Sequence, residues 1–147
     1  MNKINEIEIA VIGSSYRKEI TEELVKNCLI TLKENNVSNK NINLFNVPGA
    51  LEIPLLAKKL AKSNKYDAII VFGSVYKGKT YHFEQVADEC VRGCMNVSYE
   101  YEIPVVFEVL CVYSPEDAVY RASAKGENRG KEGALTALKM IKILNEL

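Results

Sequence analysis

The chain has 147 residues, 48% of them hydrophobic, with 19 Lys plus Arg balanced by 19 Asp plus Glu. That is enough for one domain, residues 1–147, whose apolar core needs neither metal nor disulfide to close it. A formal net charge of zero without long runs of one sign argues against nucleic acid or an anionic membrane surface as a main partner, since both select clustered positive charge.

The opening MNKINEIEIAVIG mixes acidic residues with apolar ones and has no continuous apolar core, so it does not read as a signal peptide. No apolar run approaches the length of a membrane span. The four cysteines, Cys28, Cys90, Cys94 and Cys111, lie far apart or at helical spacing. They form no disulfide framework, which fits a reducing cytoplasm. Cys90 and Cys94, four apart, are either a metal pair or, since they coincide with a helix's apolar stripe, buried structural thiols, and the second reading is preferred.

In chain order, short apolar runs alternate with longer segments of helical period, the signature of a parallel sheet covered by helices. The runs 7–12, 42–47, 68–72 and 105–110 read as strands. Residues 19–34 read as the first helix, with Ile20, Leu24, Cys28 and Leu32 stepping by four along one face and Asn35 and Asn36 offering a stop. A second helix follows VPGA and carries Leu55, Leu56 and Leu60. The third begins near Tyr81, with Phe83, Val86, Ala87, Cys90, Val91, Cys94 and Val97 at spacings of three and four. After the last strand, Ser114 and Pro115 give the N-cap and first position of a short helix. GENRG interrupts, and a final helix places Leu135, Leu138, Ile141 and Leu144 on its stripe. The pattern predicts an α/β, flavodoxin-like three-layer sandwich: a four-stranded parallel sheet with helices on both faces. Ligands of such folds bind at the carboxyl ends of the strands.

GSVYKGKT, residues 73–80, satisfies the phosphate-binding pattern G-x-x-x-x-G-K-[ST], follows a strand and opens a helix. A nucleotide-binding enzyme of the P-loop type is therefore one reading. Against it, Val75, Tyr76 and Lys77 are bulky for a loop that wraps phosphates, and no strand ends in an Asp to hold magnesium. The local physics that survives is an anion site at a helix start, served by Lys79 and Thr80.

His82, the only histidine, stands two residues beyond that motif. It is either an exposed first-turn residue or an acid-base group, since histidine is the side chain that ordinarily titrates near neutrality. Glu52 within VPGALEIP is either a solvated helix-start carboxylate or an acceptor for ligand hydroxyls. Tyr16, Tyr76 and Phe107 are either core or a platform for a flat ring, and Arg121 is either a surface charge or a two-pronged phosphate ligand.

VPGALEIP, FGSVYKGKTYHFEQVA and RASAKGENRGKEGALTALKM together resemble the lumazine synthase family of riboflavin biosynthesis over nearly the whole chain, in the right order. The resemblance implies a flavodoxin-like homopentamer, in some members assembled into icosahedral shells, with active sites between neighbouring subunits. It implies small-molecule substrates, neither metal nor organic cofactor, and admits riboflavin synthase as a partner. The implied reaction joins 5-amino-6-(D-ribitylamino)uracil to L-3,4-dihydroxy-2-butanone 4-phosphate. By position, Tyr16 stacks on the pyrimidine, and Ala50, Leu51 and Glu52 hold the ribityl chain. Ser74, Val75 and Tyr76 present backbone to the uracil, and Phe107 comes from the adjacent subunit. Lys79, Thr80 and Arg121 hold the phosphate, and His82 moves protons. An inactive shell or flavin-binding scaffold of the same fold is the alternative within the family. AKGENRG stands where TKAGNKG is typical, which puts Arg129 at a family lysine.

Overall fold

The structure, a computed structural model, describes residues 6–147; the first five residues, where the N-terminal reading begins, lie outside it. Four strands, β1 (Ile9–Ser14), β2 (Ile42–Val47), β3 (Ala68–Tyr76) and β4 (Val105–Val112), form one parallel sheet in the order β2-β1-β3-β4. Five α-helices connect and follow them: α1 (Lys18–Glu34), α2 (Ile53–Lys62), α3 (His82–Tyr101), α4 (Pro115–Ala122) and α5 (Arg129–Asn145). This is the expected flavodoxin-like three-layer sandwich. None of the helices is long and apolar enough to cross a membrane.

Alternation along the central strands sorts the core into two slabs. Ile9, Val11, Ile70 and Phe72 pack with Leu24 and Cys28 of α1, Ala118 of α4 and Ala134 of α5. Ala10, Ile12, Ile69 and Val71 pack with Ile53 and Ala57 of α2 and Val86 and Cys90 of α3. The α1 stripe is buried as expected, and the helix stops at Asn35, followed by Asn36 in the left-handed region at φ 68°.

Two stripes differ from the sequence reading. On α2 the buried residues are Ile53, Ala57 and Ala61, while Leu55 is 68% exposed. On α5 they are Gly130, Gly133, Ala134, Ala137 and Ile141, with Leu135 and Leu144 more than a third exposed. Small residues face inward because these helices approach closely: a Cβ on Gly130 would lie 2.2 Å from the Leu24 carbonyl oxygen of α1. Similarly, Val91 of α3 is exposed while Val86, Cys90, Cys94 and Val97 are buried.

β3 outruns its expected end by four residues, and this shapes the site. Pairing with β1 stops at Gly13↔Phe72, whereas pairing with β4 continues from Gly73↔Val109 to Tyr76↔Val112. Gly73 to Tyr76 therefore have ladder partners on the β4 side only.

Candidate active site

The chain leaves β1 toward β2 on one side and β3 on the other, so the sheet's order reverses at the carboxyl end of β1, where folds of this kind open a crevice. A cavity of about 500 Å³ lies there, bounded by the turn after β1, the β2–α2 loop, the end of β3 and the start of α3. Backbone bonds brace the first two against each other: the Ser15 amide donates to the Val47 carbonyl at 2.8 Å and the Tyr16 amide to the Pro48 carbonyl at 3.2 Å. A short 3-10 turn, Ala50–Glu52, then feeds α2. Gly49 leaves room for the Glu52 carboxylate, whose Oε1 would sit 3.2 Å from a Cβ at that position.

Tyr16, Ala50, Leu51, Glu52, Ser74, Val75, Tyr76 and His82 all line this cavity. Eight residues singled out in the sequence thus come together from four segments far apart in the chain. Four others do not line it. Lys79 and Thr80 lie in the exposed loop entering α3, where the Thr80 hydroxyl accepts from the His82 amide at 3.4 Å. Phe107 is half-buried on edge strand β4, against the α2–α3 slab. Arg121 is in the last turn of α4 and pairs with Glu127.

The nucleotide-binding reading of GSVYKGKT does not fit this geometry. Its first four residues are strand, bonded to β4, and α3 begins only at His82, beyond Thr80. Extended strand does not curl its amides around a polyphosphate. Lys77 is committed to Glu84, with its ammonium 5.4 Å from the centre of the Phe83 ring. Lys79 has no ion pair among the described residues and stays open to an anion.

One cavity residue escaped the sequence reading. Arg17 adopts φ 58°, in the left-handed region, and its guanidinium carbon lies 4.1 Å from the Tyr76 ring centre and 5.1 Å from that of Tyr16. A side chain in that backbone region is uncommon outside glycine and is held by its surroundings. The signal was the basic residue directly after Tyr16 in GSSYR. A second feature is the Ser74 hydroxyl, buried without a hydrogen-bond partner among the described residues, where buried hydroxyls normally have one. No group of three or more His, Cys, Asp or Glu that could hold a metal occurs among the described residues.

A second cleft of about 550 Å³ lies between α1 and edge strand β2, over Val11, Gly13 and Asn46. It contains none of the residues singled out. The smaller cavity instead gathers a carboxylate, an imidazole, a guanidinium on two aromatic rings and a strand end with no ladder partner on the β1 side.

The family model for 6,7-dimethyl-8-ribityllumazine synthase matches residues 6–145. With its parallel sheet in the order β2-β1-β3-β4 and a match over almost its whole length, the chain belongs to that family of riboflavin-biosynthesis transferases.

Proposed function

We propose that the cavity condenses 5-amino-6-(D-ribitylamino)uracil with L-3,4-dihydroxy-2-butanone 4-phosphate to 6,7-dimethyl-8-ribityllumazine, releasing phosphate and water. The observation that carries this reading is the one-sided pairing of β3, which leaves backbone groups of Ser74 to Tyr76 free beside Glu52 and His82. A uracil edge presents alternating donors and acceptors, the pattern that an unpaired strand flank satisfies. Tyr16, 65% exposed over the cavity, supplies a face for the ring. Glu52 accepts from ribityl hydroxyls, which a carboxylate binds more strongly than a neutral group does. Ala50 and Leu51 pack along the same chain.

In the reaction, the 5-amino nitrogen attacks the ketone carbon and water leaves to give an imine. A base then takes the proton of the neighbouring carbinol carbon, the C–H pair forms a C=C bond and the phosphate departs with the electrons of its C–O bond. The resulting enol becomes a ketone, on which the ribitylamino nitrogen closes the ring with loss of a second water. Each stage moves protons, and in this reading His82, on the cavity's α3 wall, carries them. Holding the amine against the ketone contributes a large share of the acceleration, because orientation replaces a bimolecular encounter.

Lys79, Thr80 and Arg121 bind the phosphate, with Arg121 and Phe107 supplied by a neighbouring copy. Their positions outside the single-chain cavity support a shared site. So do the exposed Tyr113, Val119 and Tyr120 around α4, an apolar surface suited to cover by another subunit. A closed ring, a pentamer in this reading, gives every site the same completion.

The test is to mix both substrates with the protein and follow lumazine fluorescence against the spontaneous reaction. Acceleration that is saturable in both substrates is expected; a rate equal to the spontaneous one contradicts the proposal.

A further inference from the structure

Four side chains of alternating charge run from the interior of the sheet to the surface beside α4. Glu108 of β4 is buried, and its carboxylate accepts from Arg129 through Nη2 to Oε1 at 2.8 Å and Nε to Oε2 at 3.0 Å. The remaining Arg129 nitrogen, Nη1, reaches Oε1 of Glu127 at 3.3 Å. The other oxygen of Glu127, Oε2, accepts from Nη1 of Arg121. Side-chain exposure rises from 6% at Glu108 to 43% at Arg121.

Glu127 thus holds two arginines in the same way, each by Nη1. The Nε–Nη2 edge of Arg129 is filled by the Glu108 carboxylate. The equivalent edge of Arg121 makes no hydrogen bond among the described residues. A guanidinium edge of this kind grips an oxyanion with two parallel bonds. The turn that carries Glu127 is itself fixed: its amide donates to the Tyr120 carbonyl at 3.1 Å, and a Cβ on Gly126 would lie 2.1 Å from that same oxygen. The backbone of the turn therefore lies directly on the end of α4, one residue from Arg121.

We propose that Glu127 is a positioning residue for Arg121: it holds one nitrogen of the guanidinium and presents the open Nε–Nη2 edge to the substrate phosphate. Arg129, anchored on buried Glu108, fixes Glu127 in turn. The inference rests on the reading of Arg121 as a phosphate ligand. Glu127 does not touch substrate. It removes in advance the side-chain freedom that Arg121 would otherwise lose on binding.

The test is steady-state kinetics of Glu127→Ala, Glu127→Gln, Arg121→Ala and the Glu127→Ala/Arg121→Ala double variant, with inorganic phosphate as a competitive inhibitor. Glu127→Ala is expected to raise KM for the phosphorylated ketone about tenfold, the scale of ordering one long side chain at binding. The inhibition constant of phosphate should rise with it, while kcat and KM for the amine stay near native. Glu127→Gln keeps an acceptor for Arg121 and is expected to restore the native KM. The double variant should match Arg121→Ala. A ketone KM unchanged or lowered in Glu127→Ala, when Arg121→Ala raises it, overturns the positioning role alone. A flat Arg121→Ala overturns the reading of Arg121 and the inference with it. Glu127 is part-exposed in a turn, and circular dichroism of each variant distinguishes unfolding from these outcomes.

Discussion

Arg129 grips Glu108 with two nitrogens of one guanidinium edge, at 2.8 and 3.0 Å, and so tethers the start of α5 to an edge strand of the sheet. Burial pushes the Glu108 carboxyl above its ordinary value, against the hydrogen bonds and charge of Arg129, while Glu127 and Glu132 add to the rise. The Arg129 guanidinium is pushed up in turn, chiefly by its hydrogen bond to Glu108. The pair thus favours both charges, yet desolvation of the carboxylate outweighs that gain. Arg129→Ala leaves a buried carboxylate without its partner. The expected loss is on the order of 3 kcal/mol, the lower end for a broken buried pair because Arg129 is a third exposed.

The pH dependence of that loss has a definite sign. A carboxyl with a raised folded pKa binds its proton more tightly when folded, so it favours the folded state below the ordinary carboxylate range. That contribution fades as pH rises through the folded pKa. Removing Arg129 takes away the downward pull and raises the pKa further. Denaturant unfolding is expected to show a smaller deficit at about pH 4, near the ordinary glutamate value and so on the protonated side for a carboxyl held above it, than at about pH 7. An equal deficit at both would show that Arg129 contributes through packing.

His82→Ala and Arg121→Ala chains are expected to complement each other. If each site takes His82 from one copy and Arg121 from the next, equal co-assembly leaves about a quarter of sites with both native residues. Activity of the mixed assembly should then exceed that of either variant alone. No gain on mixing would place both residues in sites built from one chain.

Gly93 of α3 lies against Pro54 of α2, where a Cβ would come within 2.7 Å of the proline Cβ. The contacted atoms belong to the rigid proline ring, so the helices must separate. Gly93→Ala is expected to cost about 1–3 kcal/mol as an overpacking change. Because Pro54 follows Glu52 by two residues, KM for the ribitylaminouracil should rise as well. Thermal unfolding and kinetics on the same variant check both.

The thiols give an independent check on the core. Burial, with a smaller push from Glu108, raises Cys28 to about 12, and Cys90 is pushed up chiefly by its hydrogen bond with Cys94. Cys111 is exposed as a residue, but its sulfur turns back to the Val109 carbonyl at 3.7 Å, and desolvation raises it to about 11. At about pH 8 a thiol reagent is expected to label at most Cys111, on the order of a hundredfold more slowly than free cysteine. Fast labelling of two or more thiols in the folded protein would contradict this packing.

Much of this architecture is legible in the sequence because it rests on periodicity. The strand runs, the α1 stripe and the Ser114 cap, whose Oγ accepts from the Asp117 amide at 3.3 Å, all follow from local pattern. The inward faces of α2 and α5 do not, since close approach favours alanine and glycine over the leucines that pattern alone selects. The extent of β3 depends on β4 continuing beside it, a tertiary fact that no short window contains. Glu108 sits inside an apolar strand run, where a lone charge was the available signal. Its partner lies 21 residues away, beyond any local spacing rule.

The most direct measurement is the rate of lumazine formation at saturating substrates by the native protein and by His82→Ala. A native rate well above the spontaneous one is expected, with a fall of about a hundredfold in the variant, the scale of losing one general acid-base group. A native rate no faster than the spontaneous reaction, or a folded His82→Ala protein of undiminished kcat, would contradict this expectation.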